Sequence, residues 1–137
     1  NAEGAELNIS SSDGSLIMRL WAESAVKDGR EINVTEGVLQ FEMAGGSSLL
    51  VRVSSCLIRI EDDDLMTVSG DITGNIRGTG QYFSGNHLSW DRTGNAIEVQ
   101  EVYYVGPNIE VRGEQMRVEL DPENLQVTFD GPVEAGV

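Results

Sequence analysis

His87 is the chain's one histidine and Cys56 its one cysteine, so any thiol or imidazole chemistry has to run through them. A nucleophile needs a base and an orienting group that converge in space, and Asp91, four residues after His87, could supply the orienting carboxylate on paper. No local pattern joins the three. His87 precedes Leu88-Ser89-Trp90-Asp91 and reads as a turn or strand-edge residue. Cys56 shares its parity with Ile58 and Ile60, which makes it a small buried hydrophobe rather than a reactive thiol. The run Glu61-Asp62-Asp63-Asp64 offers carboxylate oxygens to a calcium ion but lacks the ligand spacing of a helix-loop-helix site, and reads as a solvated turn. Gly74-x-x-x-Gly78-x-Gly80 is glycine-rich, yet neither Lys-Ser nor Lys-Thr follows it, and no helix does, so it is not a phosphate cradle. Asn8-Ile9-Ser10 and Asn33-Val34-Thr35 match the glycan acceptor pattern, which matters only in a glycosylating secretory pathway. The reading expects no catalytic residue, no metal and no cofactor.

These residues have to be held by something, and the length of 137 residues is enough for one domain, taken as 1–137. With 23 acidic and 9 basic side chains the net charge is -14, which repels nucleic acid and anionic membrane surfaces. A single cysteine excludes an intrachain disulfide and thiolate-rich zinc sites. No apolar run approaches the roughly 20 residues of a membrane-spanning helix. The composition is 39% hydrophobic with 16 Gly and 3 Pro, apolar enough for a core and unlike a disordered chain.

Apolar residues recur with period two. Leu49, Val51 and Val53 alternate with Leu50, Arg52 and Ser54; Cys56, Ile58 and Ile60 with Leu57, Arg59 and Glu61; Met116, Val118 and Leu120 with Arg117, Glu119 and Asp121. Turn residues fall between such runs, at Asp28-Gly29, Gly45-Gly46, Glu61 to Asp64, Thr93-Gly94-Asn95, Gly106-Pro107-Asn108 and Asp121 to Asn124. Leu20 to Lys27 is the one helix-like stretch, and its lack of a cap favours a strand. Two weak series repeat. Ile32-x-Val34-x-x-x-Val38 returns at Met66-x-Val68-x-x-x-Ile72, at Ile97-x-Val99 before Val102, and at Val127-x-Phe129-x-x-x-Val133, in steps of 34, 31 and 30 residues. Interleaved with it, Ala22-x-x-Ala25, Ser54-x-x-Leu57, Gly85-x-x-Leu88-x-Trp90 and Gly113-x-x-Met116-x-Val118 stand 32, 31 and 28 apart. One period is a hairpin, and hairpins that cannot bury an apolar face alone must stack. The expectation is an elongated or folded-over antiparallel sheet rather than an immunoglobulin-type sandwich, whose Greek-key crossings predict no such repeat. Dispersed glycines, among them Gly70, Gly74, Gly85, Gly106 and Gly113, suit bends and close approaches in a twisted sheet.

What remains for function is a surface made by strands. An open edge can accept a partner strand through main-chain hydrogen bonds, and an apolar inner face can shelter an acyl chain. The candidate lining is Leu39, Phe41, Val51, Val53, Ile58, Ile60, Val68, Leu88, Trp90, Val99, Val118 and Leu120. Periodicity alone equally makes them an ordinary dry core.

Gly85-Asn86-His87-Leu88-Ser89-Trp90-Asp91-Arg92, Ala96-Ile97-Glu98-Val99, Ile109 to Met116 and Leu125 to Val133, in that order and spacing, resemble the periplasmic domain of the LptC lipopolysaccharide export family, within the wider OstA-like (LptA/LptC) superfamily. Leu20-Trp21-Ala22-Glu23-Ser24-Ala25 and Met66-Thr67-Val68-Ser69-Gly70-Asp71-Ile72 extend the resemblance over most of the chain. The resemblance implies a twisted, folded-over antiparallel β-jellyroll, or β-taco, with open edges and no covalent step. It implies receipt of lipopolysaccharide from an inner-membrane LptBFG-like ABC transporter and transfer, by edge docking, to a periplasmic LptA-like bridge protein. It also implies a periplasmic location with an N-terminal inner-membrane anchor outside this chain. The family's paired glycines near Gly113 meet Gln115 here, so that structural turn carries over only to Gly113. The alternatives are a soluble LptA-like bridge component and a protein-binding β module that carries no lipid. If lipid phosphates travel the interior, a chain of this charge has to keep its carboxylates outside.

Overall fold

The computed structural model describes residues 2–10, 16–43, 48–61, 65–76, 80–91, 93, 96–120 and 126–136. They form nine strands: β1 (Ala2–Ser10), β2 (Leu16–Asp28), β3 (Glu31–Met43), β4 (Ser48–Ile60), β5 (Leu65–Ile76), β6 (Gln81–Asp91), β7 (Ala96–Gly106), β8 (Ile109–Glu119) and β9 (Gln126–Gly136). All belong to one antiparallel sheet whose spatial order is the chain order, and β1 and β9 stay unpaired to each other, so the sheet is open. The repeat of about thirty residues is therefore the hairpin pair, and no Greek-key crossing occurs. Leu20 to Lys27 lies within β2. Asp28-Gly29 and Gly106-Pro107-Asn108 mark connections as expected, while Gly45-Gly46, Gly94-Asn95 and Asp121 to Asn124 lie outside the described residues.

Strands this long do not bury one face from end to end. Near the middle of each strand from β2 to β9, the alternation slips, and two or three neighbouring residues in a row are exposed or half-buried. These are Glu23-Ser24, Thr35-Glu36, Ser54-Ser55, Ser69-Gly70-Asp71, Asn86-His87, Gln100-Glu101, Glu114-Gln115 and Asp130-Gly131-Pro132. They lie next to one another across the sheet. Ala22 pairs Gly37 and Ser24 pairs Thr35; Gly37 pairs Val53; Val102 pairs Gly113 and Gln100 pairs Gln115. The three shifts of register, at Val53/Leu57, Ser69/Ile72 and Gly113/Gln115, fall on the same line. We call this line the crease. A bulge bends its strand and sharpens the twist, and bulges aligned over neighbouring strands bend the whole sheet.

The crease divides the sheet into two leaves that face each other. The first leaf holds Val34, Ile58, Val68, Leu88, Trp90, Val99 and Val118; the second holds Leu20, Leu39, Phe41, Val51, Ile72 and Tyr104. Both aromatic contacts join one leaf to the other: Phe41 meets Trp90 edge-on, with centroids 5.5 Å apart at 88°, and Tyr104 meets Phe129 at 5.3 Å and 65°. The core is thus the space between two halves of one sheet. Outside it, no described Asp or Glu is buried. Arg117 bridges Glu98 at 3.0 Å and Glu119 at 3.3 Å, and Arg59 bridges Glu31 and Glu61.

Backbone geometry concentrates at the crease. Gly70 has φ 138°, and a Cβ there would lie 2.6 Å from the Ser55 carbonyl oxygen. Glu36 and Glu101 carry positive φ, 49° and 53°, a conformation that costs a side-chain-bearing residue about 1–2 kcal/mol. Glu36 also shares its gap in the register with Glu23, and Glu101 with Glu114, and like charges placed opposite each other on a sheet are unfavourable. Asn tolerates the conformation and removes the charge. Glu36→Asn and Glu101→Asn should therefore each raise stability by about 0.5–1 kcal/mol, whereas Gly70→Ala should lower it by about 1–3 kcal/mol; urea unfolding of the three variants measures both effects.

Candidate functional site

The residues named for nucleophilic chemistry do not converge. His87 stands on β6 opposite Ser69 of β5, and its Nδ1 lies 3.1 Å from the Ser69 Oγ, a cross-strand pair at the crease. Cys56 is buried between the leaves, and burial pushes its thiol up to about 11. Asp91 is occupied by its own turn, accepting from the Thr93 hydroxyl at 2.6 Å and the Thr93 backbone N–H at 3.0 Å. Those two bonds hold its carboxyl below the ordinary aspartate range. Among the described residues no group of three or more His, Cys, Asp or Glu is placed to hold a metal ion. Glu61 is described, but Asp62 to Asp64 lie outside the described residues.

The apolar candidates do come together. Leu39, Phe41, Val51 and Val53 lie on the second leaf, and Ile58, Ile60, Val68, Leu88, Trp90, Val99, Val118 and Leu120 on the first. All are buried except Ile60, which is half-buried and packs on the rim of the core. Period-two reading missed much of the second leaf. Met18 and Leu20, which do alternate in β2, belong to it, as do Ile72, Phe83 and Tyr104. Phe83 has Gln81 and Gly85 two positions away instead of apolar residues, and across the sheet it pairs with Gly74, whose missing Cβ leaves the space its ring fills; a Cβ would sit 2.1 Å from that ring. Tyr104 carries the second leaf's polar handle, its hydroxyl donating to the Gln81 side chain.

Two expectations need correction, on Gly113 and on the ends of the first repeat series. Gly113 is not in a turn: it lies inside β8, paired with Val133, at the point where β8 crosses the crease. The bend there belongs to the sheet, not to a chain reversal. On β4 the inward residues on either side of the slip are Val53 and Cys56, the parity expected for Cys56, so the Ser54-x-x-Leu57 member of the second series is out of step with the others. Val38 and Val133, third members of the first repeat series, are half-buried and exposed respectively, since the slip in β3 turns Gly37 inward instead and β9 is an edge.

Among the described residues, three clefts lie outside the leaves. One of about 510 Å³ and one of about 410 Å³ follow the crease and are walled by carboxylates, Glu23, Glu36 and Asp71 in the first and Glu101, Glu114 and Asp130 in the second. The third, about 300 Å³, is an apolar dent beside Tyr82, Tyr103 and Val105, with the Arg112 guanidinium stacked 4.5 Å over Tyr103. Both edges of the sheet present apolar side chains that pack only partly against the core, Leu7 and Ile9 on β1 and Val127 and Phe129 on β9.

Sheet and interior together define an all-β, open, folded-over antiparallel sheet of jellyroll-like type, with an apolar inner face and an acidic outer one. Compared with protein-family models and with curated proteins, the chain matches none.

Two outcomes follow from the titrating groups. A thiol raised to about 11 and buried is protonated at neutral pH and out of reach, so Cys56 should react with a thiol reagent at pH 8 only as fast as the fold opens and at once in urea. Labelling that outpaces unfolding would contradict its burial. The Asp91 carboxyl is depressed in the folded state, so its contribution to stability is present above the unfolded aspartate pKa and is lost as pH falls through the folded value. NMR titration should place Asp91 below ordinary aspartates, and Thr93→Ala should return it toward them.

Proposed function

We propose that this domain carries lipopolysaccharide in the manner of the LptC export family: it accepts the lipid from an inner-membrane ABC transporter and passes it to a periplasmic LptA-like bridge protein. One observation carries the reading. Both leaves of an open sheet present a continuous apolar face to each other, while every described carboxylate stays outside. Acyl chains then lie between the leaves as these part about the crease, with the charged head group in water, and transfer is downhill or driven by the partner transporter because the domain makes no bond. The ends of the sheet are free for docking: β1 and β9 each have one side without a neighbour, and main-chain pairing there needs no special side chain. In this reading the domain is periplasmic and held at the inner membrane by a segment outside this chain.

A specific observation favours a second reading. In the structure the inner side chains are closed on one another, with Leu39, Phe41, Val51, Leu88, Trp90 and Val118 wholly buried, as in a protein-binding module whose interior is a dry core and whose partner binds the edges.

Photocrosslinking separates the two. With a photoreactive residue at Leu39, Val53, Ile60, Leu88 or Val118 and lipopolysaccharide supplied by the transporter, the lipid reading expects adducts at these inward positions and none at outward controls such as Arg52 and Glu98. Adducts confined to outward positions sink the lipid path; protein adducts on β1 and β9 without lipid adducts favour the binding module.

A further inference from the structure

Trp90 is wholly buried, and its Nε1–H has no hydrogen-bond partner among the described residues. It stands beside Met66 of β5 and Ile97 of β7 and meets Phe41 of the opposite leaf edge-on. Buried indole N–H groups ordinarily find an acceptor, because the hydration they forfeit is not returned by packing. A ring face such as that of Phe41 is only a second-order acceptor. A phenylalanine would supply most of the same apolar contact with no orphaned donor. The Tyr104 hydroxyl, also among the described buried residues, is by contrast already bonded to Gln81.

We propose that Trp90 is a hydrogen-bond donor for the carbonyl oxygen of an acyl chain, so that the interior takes ester- or amide-linked chains in preference to plain hydrocarbon. The inference rests on the reading of the interior as a lipid path. It follows from position and from charge. Trp90 lies where the leaves touch, so a chain entering between them replaces the Phe41 contact and brings its carbonyl to Nε1. No described Lys or Arg is buried, so the site offers one neutral donor and no countercharge. A carboxylate or phosphate would be left uncompensated there, whereas a neutral carbonyl matches it.

The test compares two volatile probes of equal chain length, methyl octanoate and n-decane, by headspace partitioning over the whole chain and over Trp90→Phe. The ratio of the decane Kd to the ester Kd should fall by about 3–10-fold in Trp90→Phe, the worth of one neutral hydrogen bond. An unchanged ratio overturns the inference while leaving the lipid path standing. If neither probe binds the unsubstituted chain, the lipid path itself fails and the inference with it. Should Trp90→Phe not fold, Trp21→Phe leaves Trp90 as the only indole: its emission should move to longer wavelength with methyl octanoate and not with n-decane, and equal responses to both overturn the donor role.

Discussion

Everything in this fold depends on a strand breaking its own alternation at one place. A period of two puts every second side chain on one face, and a strand of 11 to 13 residues that kept to it would make a wide, gently twisted sheet with one apolar face and nothing to bury it against. By turning two consecutive polar residues outward at the same level in neighbouring strands, the chain bends the sheet instead. Its two halves become each other's partner. The hydrophobic effect then acts between leaves of one sheet, and the aromatic pairs Phe41–Trp90 and Tyr104–Phe129 lock the halves at the depth where they cross.

The same bend sorts the charge. Residues at the crease face solvent, so all but Pro132 are polar or glycine, and six of them carry acid: Glu23, Glu36, Asp71, Glu101, Glu114 and Asp130. Two adopt a left-handed backbone, with Gly70 serving the same purpose on β5. The scarce basic side chains are spread over the flat outer faces, where Arg59 and Arg117 each tie one carboxylate on the neighbouring strand and one two residues further along the chain. These exposed pairs contribute little to stability individually, but they spread the excess of negative charge. The interior is left with hydrocarbon, a protonated thiol and two aromatic polar groups.

Much of this was legible in the sequence. Alternation located the strands, and the hairpin-sized repeat favoured a meander over a Greek key. The interleaved series carried more than a repeat length: in Ala22-x-x-Ala25, Gly85-x-x-Leu88 and Gly113-x-x-Met116 the two intervening residues are the crease itself. The Ser54-x-x-Leu57 member of the series is out of step, with Ser54 exposed and Leu57 half-buried, and there the parity of Cys56 with Ile58 and Ile60 was the better guide. Phe83 was hidden because its companions, Gly74 on β5 and Tyr104 on β7, lie on neighbouring strands and no apolar residue stands two positions away in its own. Parity along one strand cannot register contacts that exist only once the leaves close. The orphaned indole of Trp90 is another such feature: its type and position were visible, its lack of an acceptor was not.

The central claim is that the two leaves enclose the space into which acyl chains enter, and the separation of the leaves tests it most directly. Gln40 on β3 and Ser89 on β6 flank Phe41 and Trp90 and lie on the outer faces of opposite leaves. Nitroxides at Gln40→Cys and Ser89→Cys, in a Cys56→Ala background, report the leaf-to-leaf distance by double electron–electron resonance. The account expects one narrow distribution in the free protein and a shift to longer distance when lipopolysaccharide is bound. Bound lipopolysaccharide with the distribution unmoved would place the lipid outside the leaves and contradict it.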